Sequence, residues 1–169
     1  MKSILYWSPH LSNVATINNV IKSAKSIKRF SKFHNPVILD ASGEWFNFRE
    51  ELEQNKIQTY KLSKLDLKKY YPIEGFFKSR FFSVLIFLKN FFPLLRYLKE
   101  KKPEFLVVHL VTFLPLFIFY FNKIDTKLIL RISGLPKLNF LRTFFWKRVS
   151  SKLYCITCPS EETKKNLEK

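Results

Sequence analysis

Short apolar runs recur along this chain, each followed by a stretch with helical spacing, and that alternation restricts the fold more than any single residue does. Residues 3–7 (SILYW) end at Ser8-Pro9. Over residues 14–30, Val14, Ile17, Val20, Ile21, Ala24 and Ile27 recur at helical spacing, with Lys22, Lys25, Lys28 and Arg29 mainly off the stripe. Residues 37–40 predict a second strand, Ala41-Ser42-Gly43 a turn, and residues 44–54 a shorter helix. Residues 56–62 alternate in the manner of a strand. A basic connector over 63–74 leads to a long Phe/Leu-rich helix over about 78–100, which Pro103 stops. Residues 104–109, 126–132 and 152–157 predict further strands, with helices over 112–121 and 139–151 between them. Ser160, followed by Glu161 and Glu162, predicts the capped start of a last helix.

Apolar strands that mostly do not alternate must be buried on both faces. The expected fold is therefore α/β: a Rossmann-like, doubly wound, mostly parallel sheet of about six strands with helices on both faces, a single domain over residues 1–169.

Composition limits the partners. The formal charge is +17, and 19 phenylalanines stand beside only three glycines. Such charge attracts acidic lipid, phosphorylated substrates or nucleic acid, unless lysine is merely the default solvating residue. Nucleic acid is not expected, because no recognition motif accompanies the charge and the aromatics sit in apolar runs. Two cysteines make no disulfide scaffold, and the run Ile4–Trp7 is too short for a secretory signal, so a reducing cytoplasm is expected. Residues 105–121 carry no formal charge, but Pro115 and the strand-like Val107-Val108-His109 favour a strand plus a buried helix over a membrane span. In the segment 76–98, Lys89 and Arg96, with Lys99 just beyond, fall on one side of a helical wheel and Phe and Leu cover nearly all the rest. Such a helix must be deeply buried or dip into a membrane interface; with its basic flanks, peripheral binding to an acidic membrane surface on the inner face is the expectation.

In open parallel sheets ligands bind at the carboxyl ends of the strands. That rule selects Ser8 to Asn13, Asp40 to Gly43, His109, Ser133-Gly134 and Pro159-Ser160. Serine, asparagine, glycine and proline are also ordinary loop residues. His109 lies in an apolar run, where a satisfied core histidine is the alternative to a functional one. Arg131, in a buried-type strand, needs a partner: a phosphate or carboxylate at the strand edge, or a core acid. Cys155 and Cys158 form a C-x-x-C, but Cys155 falls within a strand, where the two sulfurs face opposite sides, and no second pair exists for zinc. No metal site is expected. There is no G-x-G-x-x-G, Walker A loop, H-E-x-x-H or G-x-S-x-G.

Taken together, "YWSPHLSNVA", "FLVVHL", "KLILRISGLPKLNFLRTFFWK" and "LYCITCPSEETKKNL" resemble the amino-terminal half of family 4 glycosyltransferases of the GT-B architecture. The resemblance covers nearly the whole chain and is most specific over residues 131–147 and the segment "CPSEETKK". Members commonly carry His-Gly after the fifth strand, a place taken here by Ser133-Gly134. The glycine-rich loop often found after the first strand is replaced by Ser8 to Asn13. The resemblance implies an acceptor-binding domain that faces a second, donor-binding domain across a cleft. It makes His109 the candidate catalytic residue, and His10, Ser12, Asn13, Arg131, Ser133, Gly134 and Ser160 candidate acceptor contacts. The implied reaction is hexosyl transfer from a nucleotide-sugar to a sugar or lipid-linked acceptor in envelope polysaccharide or glycolipid synthesis. No cofactor is expected within this chain, since the nucleotide-sugar belongs to the donor-binding carboxyl-terminal half, which is expected to be missing through truncation or splitting. The alternative is a non-catalytic, basic, membrane-associated protein that keeps the fold.

Overall fold

Each of the apolar runs forms a strand, and all of them join one parallel sheet. The structure, a computed structural model, describes residues 2–134 and 140–168. The strands are β1 (Lys2–Trp7), β2 (His34–Asp40), β3 (Gln58–Lys61), β4 (Phe105–Val108), β5 (Lys127–Arg131) and β6 (Leu153–Thr157). The helices are α1 (Ala15–Phe30), α2 (Arg49–Gln54), α3 (Phe76–Lys101), α4 (Phe113–Phe121), α5 (Phe140–Ser150) and α6 (Glu161–Leu167). The sheet order is β3-β2-β1-β4-β5-β6, with every neighbouring pair parallel. The expected start of the fifth helix at Asn139, and the stretch 135–139, lie outside the described residues.

Alternate residues of β1 enter different layers, as the pleat requires. Leu5 and Trp7 join the core beneath α3 and α4, together with Leu106, Val108, Leu128, Leu130 and, from α5, Val149. Ile4 and Tyr6 face the opposite layer, with Ile17, Val20, Ile21 and Ala24 of α1 and Leu52 of α2. Helices therefore cover both faces, as the doubly wound expectation required. Residues 105–121 resolve into β4 and α4, with Leu114, Pro115, Leu116, Ile118 and Phe119 buried.

Among the boundaries that differ from the sequence-based reading, three have a visible cause. β2 begins at His34 because its first residues pair with Lys2 and Ser3 of β1, which needs no apolar side chain. α2 begins only at Arg49, after a 3-10 turn over Phe46–Phe48. The cause is Glu44, whose carboxyl group turns back to accept the N–H groups of Ala41 (3.1 Å) and Ser42 (2.6 Å) instead of opening a helix. α3 extends to Phe76, directly after Gly75, whose φ of 93° breaks the preceding chain.

At the amino edge Glu104 gathers the strands. It accepts a hydrogen bond from His34 Nε2 (3.0 Å) and pairs with Lys2 and Lys127, each at 3.5 Å. The His34 bond first, and the two lysines after it, hold its carboxyl below the usual range. Glu104 is partly buried while both lysines are exposed, so the two lysine pairs add little stability.

Burial grades the cost of truncation. Leu106→Ala, at a fully buried central position, is expected to cost about 2–5 kcal/mol in urea unfolding. Ile156→Ala, on the half-open edge strand, is expected to cost below about 1 kcal/mol.

Candidate functional site

The strand order turns back between β1 and β4, and their carboxyl ends are where an open α/β sheet forms its crevice. Two hydrogen bonds fix the geometry there. The His109 N–H donates to Trp7 O (2.9 Å), and Trp7 Nε1–H donates across to Val111 O (3.1 Å). Val111 has φ 46°, a left-handed conformation that a β-branched residue avoids. Strain of this kind persists where surrounding contacts over-determine the backbone. Here a wholly buried tryptophan from the neighbouring strand holds the turn that aims His109.

Beside this turn lies a cavity of about 370 Å³, lined by Thr16, Asn19, His109, Arg131, Ile132, Ser133, Thr157, Cys158 and Pro159. His109 is 7% exposed and its Nε2 has no hydrogen-bond partner. Burial, and secondarily the Arg131 charge, lower its pKa to about 4, so the imidazole is neutral at physiological pH. Arg131 rises from the end of β5, and among the described residues no acid pairs with it. The core-acid alternative is thereby set aside. The rim of α1 completes the cavity: its cap residue Val14 offers no side-chain bond, and its first turn carries no acidic residue.

The other half of the carboxyl edge is closed. Glu44 is 3% exposed and accepts hydrogen bonds from Ala41 N, Ser42 N and Ser42 Oγ. Burial, reinforced by the neighbouring Asp40, pushes its pKa up to about 8. Asp40 accepts from Gly43 N (2.6 Å), at a glycine with φ 82° whose added Cβ would lie 3.0 Å from Asp66 Oδ1. His10 packs edge-on against Trp45 (4.9 Å between ring centroids), and burial pulls its pKa down. Its Nδ1 lies 3.2 Å from Ser8 O. Asn90 of α3 donates to Ala41 O (3.0 Å), and Tyr71 OH donates to Asn13 Oδ1 (2.9 Å). Between His10, Ser42, Glu44 and Tyr71 only about 10 Å³ remains, room for a single water.

Of the residues singled out from sequence, His109, Arg131 and Ser133 share the open cavity. Gly134 is exposed beside it, with no atom within 4 Å of where a Cβ would stand. His10 belongs to the closed half. Asn13 is engaged by Tyr71, and Ser12 lies on the same loop ahead of α1. Ser160 accepts from Thr163 N (3.2 Å) as the cap of α6, the role its sequence context also predicts. Cys155 and Cys158 are both free, and Cys158 lines the cavity. Among the described residues no cluster is suited to a metal ion. Sequence reading missed Glu44, taken as a helix residue, although Asp40 and Glu44 bracketing a strand-end turn was a visible signal. It also missed Thr16 and Asn19, whose polar character on the first turns of α1 was the only trace.

No protein-family model and no curated protein sequence matches the chain. Among solved structures, the chain resembles proteins of the GT-B glycosyltransferase fold, and it corresponds to one Rossmann-like half of that architecture. UDP-GlcNAc 2-epimerase from Neisseria meningitidis, solved with UDP-GlcNAc, superimposes with TM-score 0.60 at 18% identity, covering 99% of this chain and 42% of that one. MurG of Acinetobacter baumannii gives 0.59 at 12%, covering 96% and 43%. The Streptomyces sp. SF2575 glycosyltransferase SsfS6 gives 0.52 at 9%, covering 90% and 45%. The chain thus spans less than half the length of these proteins, and identities this low establish the fold.

The buried carboxyl of Glu44 gives a signed pH dependence. Its folded pKa lies above the unfolded one, so the folded state holds the proton longer and stability falls as pH rises toward about 8. Between pH 6.5 and 8 the melting temperature of Glu44→Gln should decline less than that of the wild type, the histidines contributing equally to both. Parallel slopes for both proteins would remove Glu44 as a source of the decline.

Proposed function

We propose that this chain is the acceptor-binding half of a GT-B glycosyltransferase that transfers a hexosyl group from a nucleotide-sugar to an acceptor of envelope polysaccharide or glycolipid synthesis. The observation that carries the reading is the polar cavity at the β1/β4 turning point, on a domain that matches just under half of GT-B proteins. The nucleotide-sugar falls to a second, donor-binding domain facing this edge. An imidazole with a pKa of about 4 is a weak general base at neutral pH. His109 therefore serves best as a neutral residue shaping the acceptor cavity it lines.

α3 supports a membrane-borne acceptor. Its inner stripe, Ile86, Asn90, Leu94 and Leu98, is buried on the sheet. Its outer stripe, Phe77, Phe81, Val84, Leu88 and Phe92, is exposed, with Phe77 at 85%. The helix is long and apolar enough to cross a bilayer, but its inner face is committed to the core. We place the outer stripe in the interfacial layer of an anionic leaflet, with Lys78, Arg80 and Lys89 at the headgroups. The same face favours a second reading, a non-catalytic protein that binds the membrane through this fold. Epimerisation of a soluble sugar nucleotide, which the fold also serves in its neighbours, has no use for such a stripe.

Nucleotide-sugar turnover, measured with carboxyl-terminal donor domains supplied in trans, separates these readings. Acceptor-dependent release of nucleotide supports transfer. Epimerised sugar nucleotide in the absence of acceptor overturns it, and membrane binding without any turnover establishes the non-catalytic reading.

Vesicle flotation tests the surface itself. The chain should float with phosphatidylglycerol vesicles at low salt and less at high salt, as screening predicts. The double substitution Phe77→Glu, Phe81→Glu should abolish flotation without changing the melt. Undiminished flotation of that variant would refute the α3 surface.

A further inference from the structure

The amino edge of the sheet, at the opposite end of the strands from the crevice, carries a serine, a histidine and a glutamate joined in series. Ser31 stands at the carboxyl end of α1, His34 opens β2, and Glu104 directly precedes β4. His34 Nε2 lies 3.0 Å from Glu104 Oε2, and His34 Nδ1 lies 3.1 Å from Ser31 Oγ. Glu104, whose pKa is held down by these partners, is ionised and can only accept a hydrogen bond. Nε2 of the neutral ring therefore carries the proton, and Nδ1 is the bare nitrogen to which the Ser31 hydroxyl donates. Backbone bonds hold the three groups in place. The His34 N–H donates to Ser31 Oγ (3.1 Å), Lys2 N–H to Phe33 O (2.9 Å) and Glu104 N–H to Ser3 O (3.0 Å). Two open depressions share Lys32 and Phe33 as a common wall. One, of about 470 Å³, is lined also by His34 and Glu104; the other, of about 540 Å³, by Ser31, Ile27 and Phe30.

We propose that Ser31, His34 and Glu104 form a second reactive centre, a serine esterase site for short acyl esters, separate from the sugar-transfer crevice. Ser31 Oγ attacks the ester carbonyl carbon as its proton passes to His34 Nδ1. The bond from that carbon to the alcohol oxygen breaks, and the alcohol leaves with the proton. Water then attacks the acyl carbon while Nδ1 takes one of its protons. The bond to Oγ breaks, Ser31 recovers the proton, and the carboxylic acid departs. Glu104 touches no substrate; it is a positioning residue that fixes the tautomer and stabilises the imidazolium. The ring is turned end for end from the serine-protease order, in which Nε2 faces the serine, but either nitrogen carries a proton equally well. The exposed rings of Phe30 and Phe33 beside Ser31 suit an acyl chain. The negative pole of α1 favours the imidazolium and opposes an oxyanion. The Lys32 ammonium, in no ion pair among the described residues, is the charge left to stabilise that oxyanion.

Turnover of p-nitrophenyl butyrate, and labelling by a fluorophosphonate located by mass spectrometry, test the site on the intact chain. The expected result is repeated turnover, with phosphonylation of Ser31 in the folded chain that is lost in urea. Ser31→Ala should abolish the label and lower kcat/KM by about a hundredfold or more, and His34→Ala should do the same, both without changing the melt. Glu104→Gln should lower kcat by about tenfold or more at unchanged KM, a split that loss of a purely structural contact would not produce. Lys32→Ala should also lower kcat. Should Ser31→Ala fold poorly, Ser31→Cys supplies an independent measure. It should lose the fluorophosphonate label and gain alkylation by iodoacetamide at position 31, slowed when His34→Ala is added. A label confined to lysines or tyrosines, or full turnover in Ser31→Ala, would overturn the proposal and leave Ser31 as the residue that closes α1. Ester turnover without any release of nucleotide would leave this site standing while the transferase reading fails. Nucleotide release with no label at Ser31 would do the reverse.

Discussion

The parallel pairing of β1 with β4, at the place where the strand order turns back, is the constraint on which the rest depends. Parallel neighbours cannot be joined by a hairpin, so each connection must cross over the sheet, and helices supply those crossings. β1 and β4 lie inside the sheet and are buried on both faces, which is why Leu5, Trp7, Leu106 and Val108 fill one layer while Ile4 and Tyr6 fill the other. The chain leaving β1 runs to α1 on one face, and the chain leaving β4 runs to α4 on the other. Their divergence opens the crevice, and the bonds from His109 N–H to Trp7 O and from Trp7 Nε1–H to Val111 O keep it in shape.

Desolvation then divides the carboxyl edge into two halves of different character. In the closed half it pushes the Glu44 pKa up and the His10 pKa down, so burial works against charge on both groups. In the open half it keeps His109 neutral as well. Arg131 is left as the charge that sets the potential of the cavity, supported by the positive end of α1. In a chain of +17, Arg131 is the one charged side chain among those lining this cavity.

Much of the site was readable in the sequence because strand ends are readable. His109 follows Leu106-Val107-Val108, and Arg131 closes Leu128-Ile129-Leu130, so both fall at the edge where ligands bind. Their meeting in one cavity was not readable, since it depends on the order β1-β4-β5, which no local pattern encodes. Glu44 was misread because its five-residue neighbourhood, Asp40 to Glu44, looks like a turn followed by a helix start. Only the buried backbone N–H groups of Ala41 and Ser42 call the carboxylate back. α3 shows the same limit: its composition did not say which face is buried, and packing of Ile86, Asn90, Leu94 and Leu98 against the core decided it.

By itself the sequence determined the fold class, through apolar strands that required cover on both faces and helical stripes that could supply it. It also determined the amino cap of α6, because Ser160 needs only the N–H of Thr163 three residues on. Tertiary structure alone decided which loops open and which close, which face of α3 meets solvent, and which ionisable groups lose their charge. Those outcomes depend on desolvation and on contacts between residues distant in the chain, and neither quantity is a property of any local stretch.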